Sequence, residues 1–273
     1  MFDSEAFFKN LDEMYAEKRA KEVGNYLIEG LRKAALAHDE GAALMILNEL
    51  IGYYRAFGMY EACESCSKQA LALAGKMGLE GTVNYGTTLL NVATGYRAAG
   101  RHREALGYYQ EVVDIYRREL PEGDYRLAAL YNNIGILHEE MGNLDQALEA
   151  MRSALSVIGD VPGAVSELAT TFTNLALLCF RRDEVKQAQE YLEKALALFE
   201  GMKEQHDPHY GAALAGLGEA YCRMGKYEDG VAVYEKALNE IETYYGQNDY
   251  YRVTSENLAK ARQLAAAEKG RAK

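Results

Sequence analysis

Hydrophobic and polar positions along the chain recur with a period of 41 or 42 residues. In five segments an apolar stretch leads to one turn residue, and a small residue follows that turn residue five positions later. The turn residues are Gly58, Gly100, Gly142, Asp183 and Gly225. Internal similarity at a fixed period of this size is typical of an array of helical repeats.

Each copy contains the pattern of two helices. Apolar or small residues lie 11, 8, 7 and 4 positions before the turn residue, and this spacing places them on one face of a helix. We call this first helix of a repeat helix A and the helix after the turn helix B. Glycine suits the turn because helices often end at a residue with left-handed backbone angles. Small residues at fixed positions allow the two helices to approach closely. The small residues that lie five positions after each turn residue are Cys63, Ala105, Ala147, Ala188 and Gly230.

The pattern predicts an all-α solenoid of stacked antiparallel helix hairpins, because one hairpin cannot bury its apolar face alone. The predicted helix pairs are 43–57 with 60–76, 84–99 with 102–118, 124–141 with 144–158, 165–181 with 185–203 and 209–224 with 227–245. Residues 4–36 are predicted to form a degenerate hairpin, and residues 250–268 a closing helix followed by a frayed basic tail. The predicted division is an N-terminal cap over 1–42, five repeats over 43–252, and a capping helix with its tail over 253–273.

These positions resemble the tetratricopeptide repeat, over about residues 43–252. The long unit, with asparagine before an apolar pair as in Leu90-Asn91-Val92-Ala93, is similar to the repeats of kinesin light chains, as is the connector His206-Asp207-Pro208-His209. Asp183 in place of the turn glycine and Ile51 in place of a small residue depart from the pattern. The resemblance implies a right-handed superhelix whose concave groove binds a protein or peptide segment.

The resemblance also implies that the groove is lined by the residues 13, 10, 6 and 3 positions before each turn residue, which we call the groove stripe. With their neighbours, they supply candidate peptide-binding residues of three kinds: amides, cations and apolar side chains. The amides are Asn48, Asn91, Asn132, Asn133 and Asn174; the cations are Arg55, Arg97, Arg181 and Arg223; the apolar residues are Ile136, Leu177 and Phe180.

Each kind has two interpretations. An amide can donate to and accept from a peptide backbone, or the asparagines can instead form a ladder between neighbouring helices. Arginine forks onto carboxylates, which predicts an acidic partner, but the arginines can also pair with local acids such as Glu139. Exposed apolar residues on the stripe indicate a contact site, unless the array curls tightly enough to bury them.

Charge and composition narrow the class of partner. The formal net charge of −11 argues against nucleic acid and anionic membranes as partners, since both require a cationic face. No apolar run is long enough to span a membrane, and the first residues lack a signal-peptide pattern, so a cytoplasmic location is the default expectation. Cys63 and Cys66 have CxxC spacing but are expected inside a helix, where they are interpreted as packing residues.

No catalytic motif of the HExxH, GxSxG or phosphate-loop kind occurs, so neither an enzyme nor a cofactor is expected. His206 and His209 are at most a weak metal pair, and no metal site is predicted. The main hypothesis is a scaffold or adaptor that captures an extended segment. Two alternatives stay open: a peptide-responsive sensor acting through a protein partner, and a self-assembling module joined through the stripe or through tyrosines. Those tyrosines are Tyr244, Tyr245, Tyr250 and Tyr251.

Overall fold

The computed structural model describes residues 2–17, 19–159, 161, 163–202, 209–247 and 249–271, and all regular structure in these residues is α-helical. The helices are α1 Ser4–Ala16, α2 Ala20–Leu36, α3 Glu40–Ala56, α4 Tyr60–Lys76, α5 Val83–Ala98, α6 His102–Glu119, α7 Tyr125–Glu140, α8 Leu144–Ile158, α9 Val165–Arg181, α10 Val185–Gly201, α11 Tyr210–Arg223, α12 Tyr227–Tyr245 and α13 Asp249–Arg271. The all-α prediction is confirmed. Odd-numbered helices from α3 to α11 are the A helices, and even-numbered helices from α4 to α12 are the B helices.

The turn residues end the A helices as the periodicity predicts. In each repeat the backbone N–H after the turn residue donates to a carbonyl five residues earlier, as from Met59 to Tyr54 over 2.8 Å and from Glu184 to Cys179 over 2.9 Å. The turn residue itself has a positive φ, which is +61° at Asp183. At the other end of the chain, α13 continues to Arg271, so the basic residues expected to fray are helical up to that point.

The contacts divide the chain into two compact units, residues 1–122 and 123–273. In the first unit α3 packs on α4 and α5 on α6, and the two A helices α3 and α5 also touch. In the second unit the hairpins are α7 with α8, α9 with α10 and α11 with α12, and α13 packs on α12. Here too the A helices are neighbours, since α9 contacts both α7 and α11. Adjacent A helices therefore form one surface within each unit, and the groove stripe belongs to these helices.

Small residues bring the helices of a hairpin close together. A Cβ atom on Gly135 of α7 would lie 2.8 Å from Cγ of Met151 on α8, and one on Gly218 would lie 3.0 Å from the ring of Tyr234. A small residue also brings neighbouring hairpins together, because a Cβ on Gly95 of α5 would lie 2.8 Å from the Sγ atom of Cys63 on α4.

Both thiols of the CxxC sequence, those of Cys63 and Cys66, are buried and free. Desolvation raises the pKa of Cys66 to about 11, so the thiol is protonated at neutral pH. Because the thiolate is the reactive form of cysteine, this arrangement fits packing residues better than a redox pair. Among the described residues, none of the helices combines the length and the apolar character that a membrane crossing requires.

Candidate functional site

In the first unit two asparagines of the stripe region bond to each other across the repeats. Asn48 on α3 donates from Nδ2 to Oγ1 of Thr88 on α5 over 3.1 Å. Asn91 on α5 donates in return from Nδ2 to Oδ1 of Asn48, also over 3.1 Å. We call Asn48, Thr88 and Asn91 the first asparagine set. Its amides connect neighbouring A helices, which is the ladder arrangement that the sequence left open.

The second unit carries an equivalent set on α7 and α9, made of Asn132, Thr171 and Asn174, which we call the second asparagine set. Their positions relative to the turn residues are those of the first set. Asn132 is 6% exposed and donates from Nδ2 to Oγ1 of Thr171 over 2.7 Å. The Thr171 hydroxyl donates its own proton to the Glu167 carbonyl over 2.7 Å. It must therefore accept from Asn132, and this fixes which end of the Asn132 amide faces it.

The second asparagine set lacks one bond that the first set has. Oδ1 of Asn132 is buried and accepts no hydrogen bond from any described residue. Asn174 stands where Asn91 stands in the first set, but its half-buried amide makes no hydrogen bond within the described part of the chain. Leaving a buried acceptor without a donor costs about 1–3 kcal/mol. The remaining asparagine, Asn133, donates to the Ala129 carbonyl of its own helix over 2.9 Å.

The apolar candidates of the second unit separate into exposed and buried residues. Leu177, one turn after Asn174 on α9, is 43% exposed. Phe180 is only 8% exposed and belongs to the core that includes Leu217 of α11. Ile136 is half-buried against the cluster around Leu175. Of the three apolar candidates, Leu177 is thus the one that offers a large contact area to a partner.

The arginines of the second unit also differ from one another. Arg223 on α11 forms an ion pair with Glu219 over 2.8 Å and donates to the Phe180 carbonyl over 3.3 Å. Its guanidinium lies 5.0 Å from the centre of the Phe180 ring, so it joins α11 to α9. Arg181 is exposed. Desolvation raises the pKa of Glu139, and the positive charge of Arg181 opposes this rise.

In the first unit Arg55 and Arg97 are half-buried and act on the buried hydroxyl of Tyr109. Desolvation raises the pKa of Tyr109, while a hydrogen bond with Thr94, at 3.2 Å, and the two positive charges lower it. These guanidiniums therefore lie at the packed junction of α3, α5 and α6.

Sequence reasoning missed Thr88 and Thr171, the hydroxyls that orient Asn48 and Asn132. A signal was present, because threonine occurs 12 positions before the turn in the two repeats that follow a repeat with asparagine at position 10. No group of three metal-ligating side chains occurs in the ranges the structure describes. His206 lies outside the described residues. The stripe can thus offer amide hydrogen bonds, an apolar side chain and a cation.

Stacked helical hairpins with a constant period define an α-helical repeat protein. Models described as "Tetratricopeptide repeat" match residues 42–118 and 126–201, and a further one matches residues 180–245. The chain belongs to the tetratricopeptide repeat family, and its repeats are similar to those of kinesin light chain-related proteins. Members of this family are generally non-enzymatic scaffolds for protein interaction.

Among curated relatives, Protein KINESIN LIGHT CHAIN-RELATED 2 of Arabidopsis thaliana is 20% identical over 224 residues, which cover 81% of this chain and 34% of that protein. Protein KINESIN LIGHT CHAIN-RELATED 3 of the same plant is 23% identical over 162 residues, covering 59% of this chain and 25% of that protein. The chain thus spans between a quarter and about a third of the length of these relatives.

Two solved structures show the same fold. BtubC (BKLC) from P. vanneervenii matches with a TM-score of 0.62 and 22% identity, covering 84% of this chain and 90% of that one. NprR in complex with its cognate peptide NprX matches with a TM-score of 0.70 and 14% identity, covering 97% of this chain and 77% of NprR. At these identities the likeness concerns the fold alone.

Proposed function

We propose that the chain is a scaffold that captures an extended segment of a partner protein along the groove stripe of its second unit. The observation that carries the proposal is the exposure of Leu177 on this stripe. Leu177 is 43% exposed, and the amide of Asn174 one turn before it makes no hydrogen bond to any described residue, so the pair offers both an apolar contact and a polar one. The family, whose members generally serve as protein-interaction scaffolds, supports this proposal.

The same surface suggests the chemistry of the partner. Arg181 follows Leu177 by four residues on α9 and is exposed. At a rise of 1.5 Å per residue the two lie about 6 Å apart along the helix axis. Alternate side chains of an extended segment are separated by about 6.6 Å on one side. A segment with an apolar side chain and, two residues away, a carboxylate would therefore match Leu177 and Arg181. The partner that fits this surface is acidic and has apolar anchors.

Capture from lysate of the source cells with the tagged full chain, followed by mapping of the retained segment, tests the proposal. Leu177→Asp is expected to abolish retention, because it places a charge where the apolar side chain would dock. Val253→Asp on α13 is the matched control, since Val253 is 45% exposed but lies off the stripe. Retention that survives Leu177→Asp, with both variants folded, would refute capture at this surface.

A further inference from the structure

We infer that the turn between α3 and α4 is a second interaction surface, which binds a partner segment that carries both apolar and basic side chains. Its centre consists of Phe57, Met59 and Tyr60, which we call the loop patch. These side chains are 49%, 49% and 43% exposed, respectively. The loop patch lies in the first unit, where α3 ends and α4 begins, and none of its members belongs to the groove stripe. This surface therefore does not depend on the capture proposed for the second unit.

Met59 shows that the apolar character of this turn does not serve folding. It is the N-cap residue of α4 and makes no side-chain hydrogen bond to the helix end. The residues at the same position of the other four repeats are polar: Arg101, Asn143, Glu184 and Lys226. Apolar side chains are unfavourable at an N-cap, and a side chain that is half exposed gains little from burial. Exposed apolar side chains that are grouped in this way mark a contact site.

Phe57 is supported by the helices beneath it. Its ring lies 4.6 Å from the ring of Tyr53, one turn earlier on α3. Tyr53 packs closely on α2, since a Cβ added to Gly24 would lie 2.7 Å from its ring. Aromatic and methionine side chains are enriched in protein interfaces, and side chains that are already packed lose less freedom when a partner binds. The loop patch thus offers a preorganised contact area.

A small cavity beside the loop patch can receive one side chain of the partner. It has a volume of about 130 Å³ and lies between Tyr60 of α4 and Tyr96 of α5. Cys63 and Gly95 also line it, and neither brings a charge. An apolar cavity of similar size, about 150 Å³, holds a benzene molecule. The cavity therefore accommodates a branched aliphatic side chain or a small ring as the anchor of the segment.

The charged groups around the cavity select the charge of the partner. The guanidinium of Arg101 lies 4.4 Å from the centre of the Tyr96 ring and forms an ion pair with Glu64 over 2.8 Å. This cation is thus already paired within the protein. Glu61 also lines the cavity and is exposed, and it forms no ion pair with any described residue. A lysine or arginine next to the apolar anchor would pair with Glu61.

Two further carboxylates lie close to the same face of α3. Glu49 is two turns before Phe57, and Asp12 of α1 adds to the rise in the pKa of Glu49 that desolvation causes. Neither carboxylate forms an ion pair with a residue in the described ranges. A basic segment would complement these charges, whereas a second copy of the chain would place the same carboxylates against each other. Like charges across an interface weaken binding, so the surface fits a basic partner better than a second copy.

Peptides selected from a random library displayed on phage test this surface. The full chain is immobilised, and an excess of the Met59→Asn variant in solution removes peptides that bind elsewhere. The retained peptides are expected to combine an aliphatic or aromatic residue with a nearby lysine or arginine. In calorimetry, Met59→Asn should weaken a retained peptide about tenfold or more, which corresponds to about 1.4 kcal/mol. Glu61→Lys should also weaken it and make the remaining affinity less sensitive to salt.

The variant Met59→Asn separates binding from folding. Asparagine is a favourable N-cap residue, so this change should raise the melting temperature while it lowers affinity. Met45→Asn is the matched control, because Met45 is 52% exposed on α3 but belongs to the groove stripe, and it should leave the affinity unchanged. Leu177→Asp should leave it unchanged as well, so this surface and the proposed capture site can fail separately.

Three results would overturn the inference. The first is a selection that retains no peptide whose binding requires Met59. The second is a set of retained peptides that are acidic rather than basic. The third is self-association of the full chain in sedimentation that Met59→Asn abolishes, because a second copy would then occupy the loop patch.

Discussion

The amide of Asn91 donates a hydrogen bond to Oδ1 of Asn48 over 3.1 Å and thereby joins the A helices of two consecutive repeats. Asn91→Leu removes this donor and leaves Oδ1 of Asn48 without the hydrogen bond that it accepts from Asn91. We expect the free energy of unfolding to fall by about 1–3 kcal/mol. Asn174→Leu, at the equivalent position of the second unit, should change it by less than about 0.5 kcal/mol because no bond is lost. Urea denaturation followed by circular dichroism measures both, and equal losses would contradict the difference between the two sets.

The turn at Asp183 carries a backbone conformation that favours glycine. Its φ is +61°, whereas the turn residues of the other four repeats, which also have a positive φ, are glycines. Asp183→Gly should raise the free energy of unfolding by up to about 1 kcal/mol, because left-handed angles are unfavourable for residues with a Cβ atom. Gly142→Ala, at φ +80°, should act in the opposite direction. Thermal melts of the two variants test this, and a lower midpoint for Asp183→Gly would show that its side chain stabilises the turn.

Gly218 marks a place where two helices of a hairpin touch. An added Cβ would lie 3.0 Å from the ring of Tyr234, which is buried, with 2% of its surface exposed. Gly218→Ala is expected to destabilise the protein by about 1–3 kcal/mol through overpacking. A Cβ added to Gly107 on α6 would meet no atom within 4 Å beyond the backbone of its own helix, so Gly107→Ala should stabilise the helix by about 0.5–1 kcal/mol. Chemical denaturation separates the two effects by their sign.

Glu139 should make stability depend on pH. Desolvation raises its pKa, with Glu140 adding to the rise and Arg181 opposing it. A carboxyl group whose pKa is higher in the folded state lowers stability above that pKa, and this penalty disappears as pH falls below its unfolded value. Glu139→Gln should therefore stabilise the protein at pH 7 but not at pH 3.5. The exposed Glu149→Gln on α8 is the control, and a gain that persists unchanged at low pH would contradict this cause.

The helices could be predicted from the sequence because their signals are local and repeated. Turn glycines, the apolar face of each A helix and small residues after the turn recur at a constant period, so each copy supports the interpretation of the others. Asp183 shows that one exception does not disturb this, since the backbone hydrogen bonds at that turn match those at the glycine turns.

The state of the stripe residues could not be predicted in the same way. Whether Phe180 is exposed depends on Leu217 and Arg223 of the following A helix, which cover it from another repeat. Whether an asparagine amide is hydrogen-bonded depends on the side chain that faces it from the neighbouring A helix. Asn91 and Asn174 occupy the same position of their repeats and differ in their bonds, and such differences arise from side-chain orientations that periodicity does not describe.

The asparagine sets have a consequence for the order of the repeats. An asparagine ten positions before one turn bonds to a threonine at the matching position of the next repeat, as Asn48 does to Thr88 and Asn132 to Thr171. Repeat four, with Thr171 and Asn174, could follow repeat one and provide this threonine, whereas repeat five offers Ala213 and Gly216. The repeats are thus not interchangeable. A permuted chain with repeat five after repeat one would keep its helical pattern but would lose the hydrogen bond between the asparagine of one repeat and the threonine of the next. The order of the repeats therefore determines contacts between neighbours that the sequence of a single repeat does not determine.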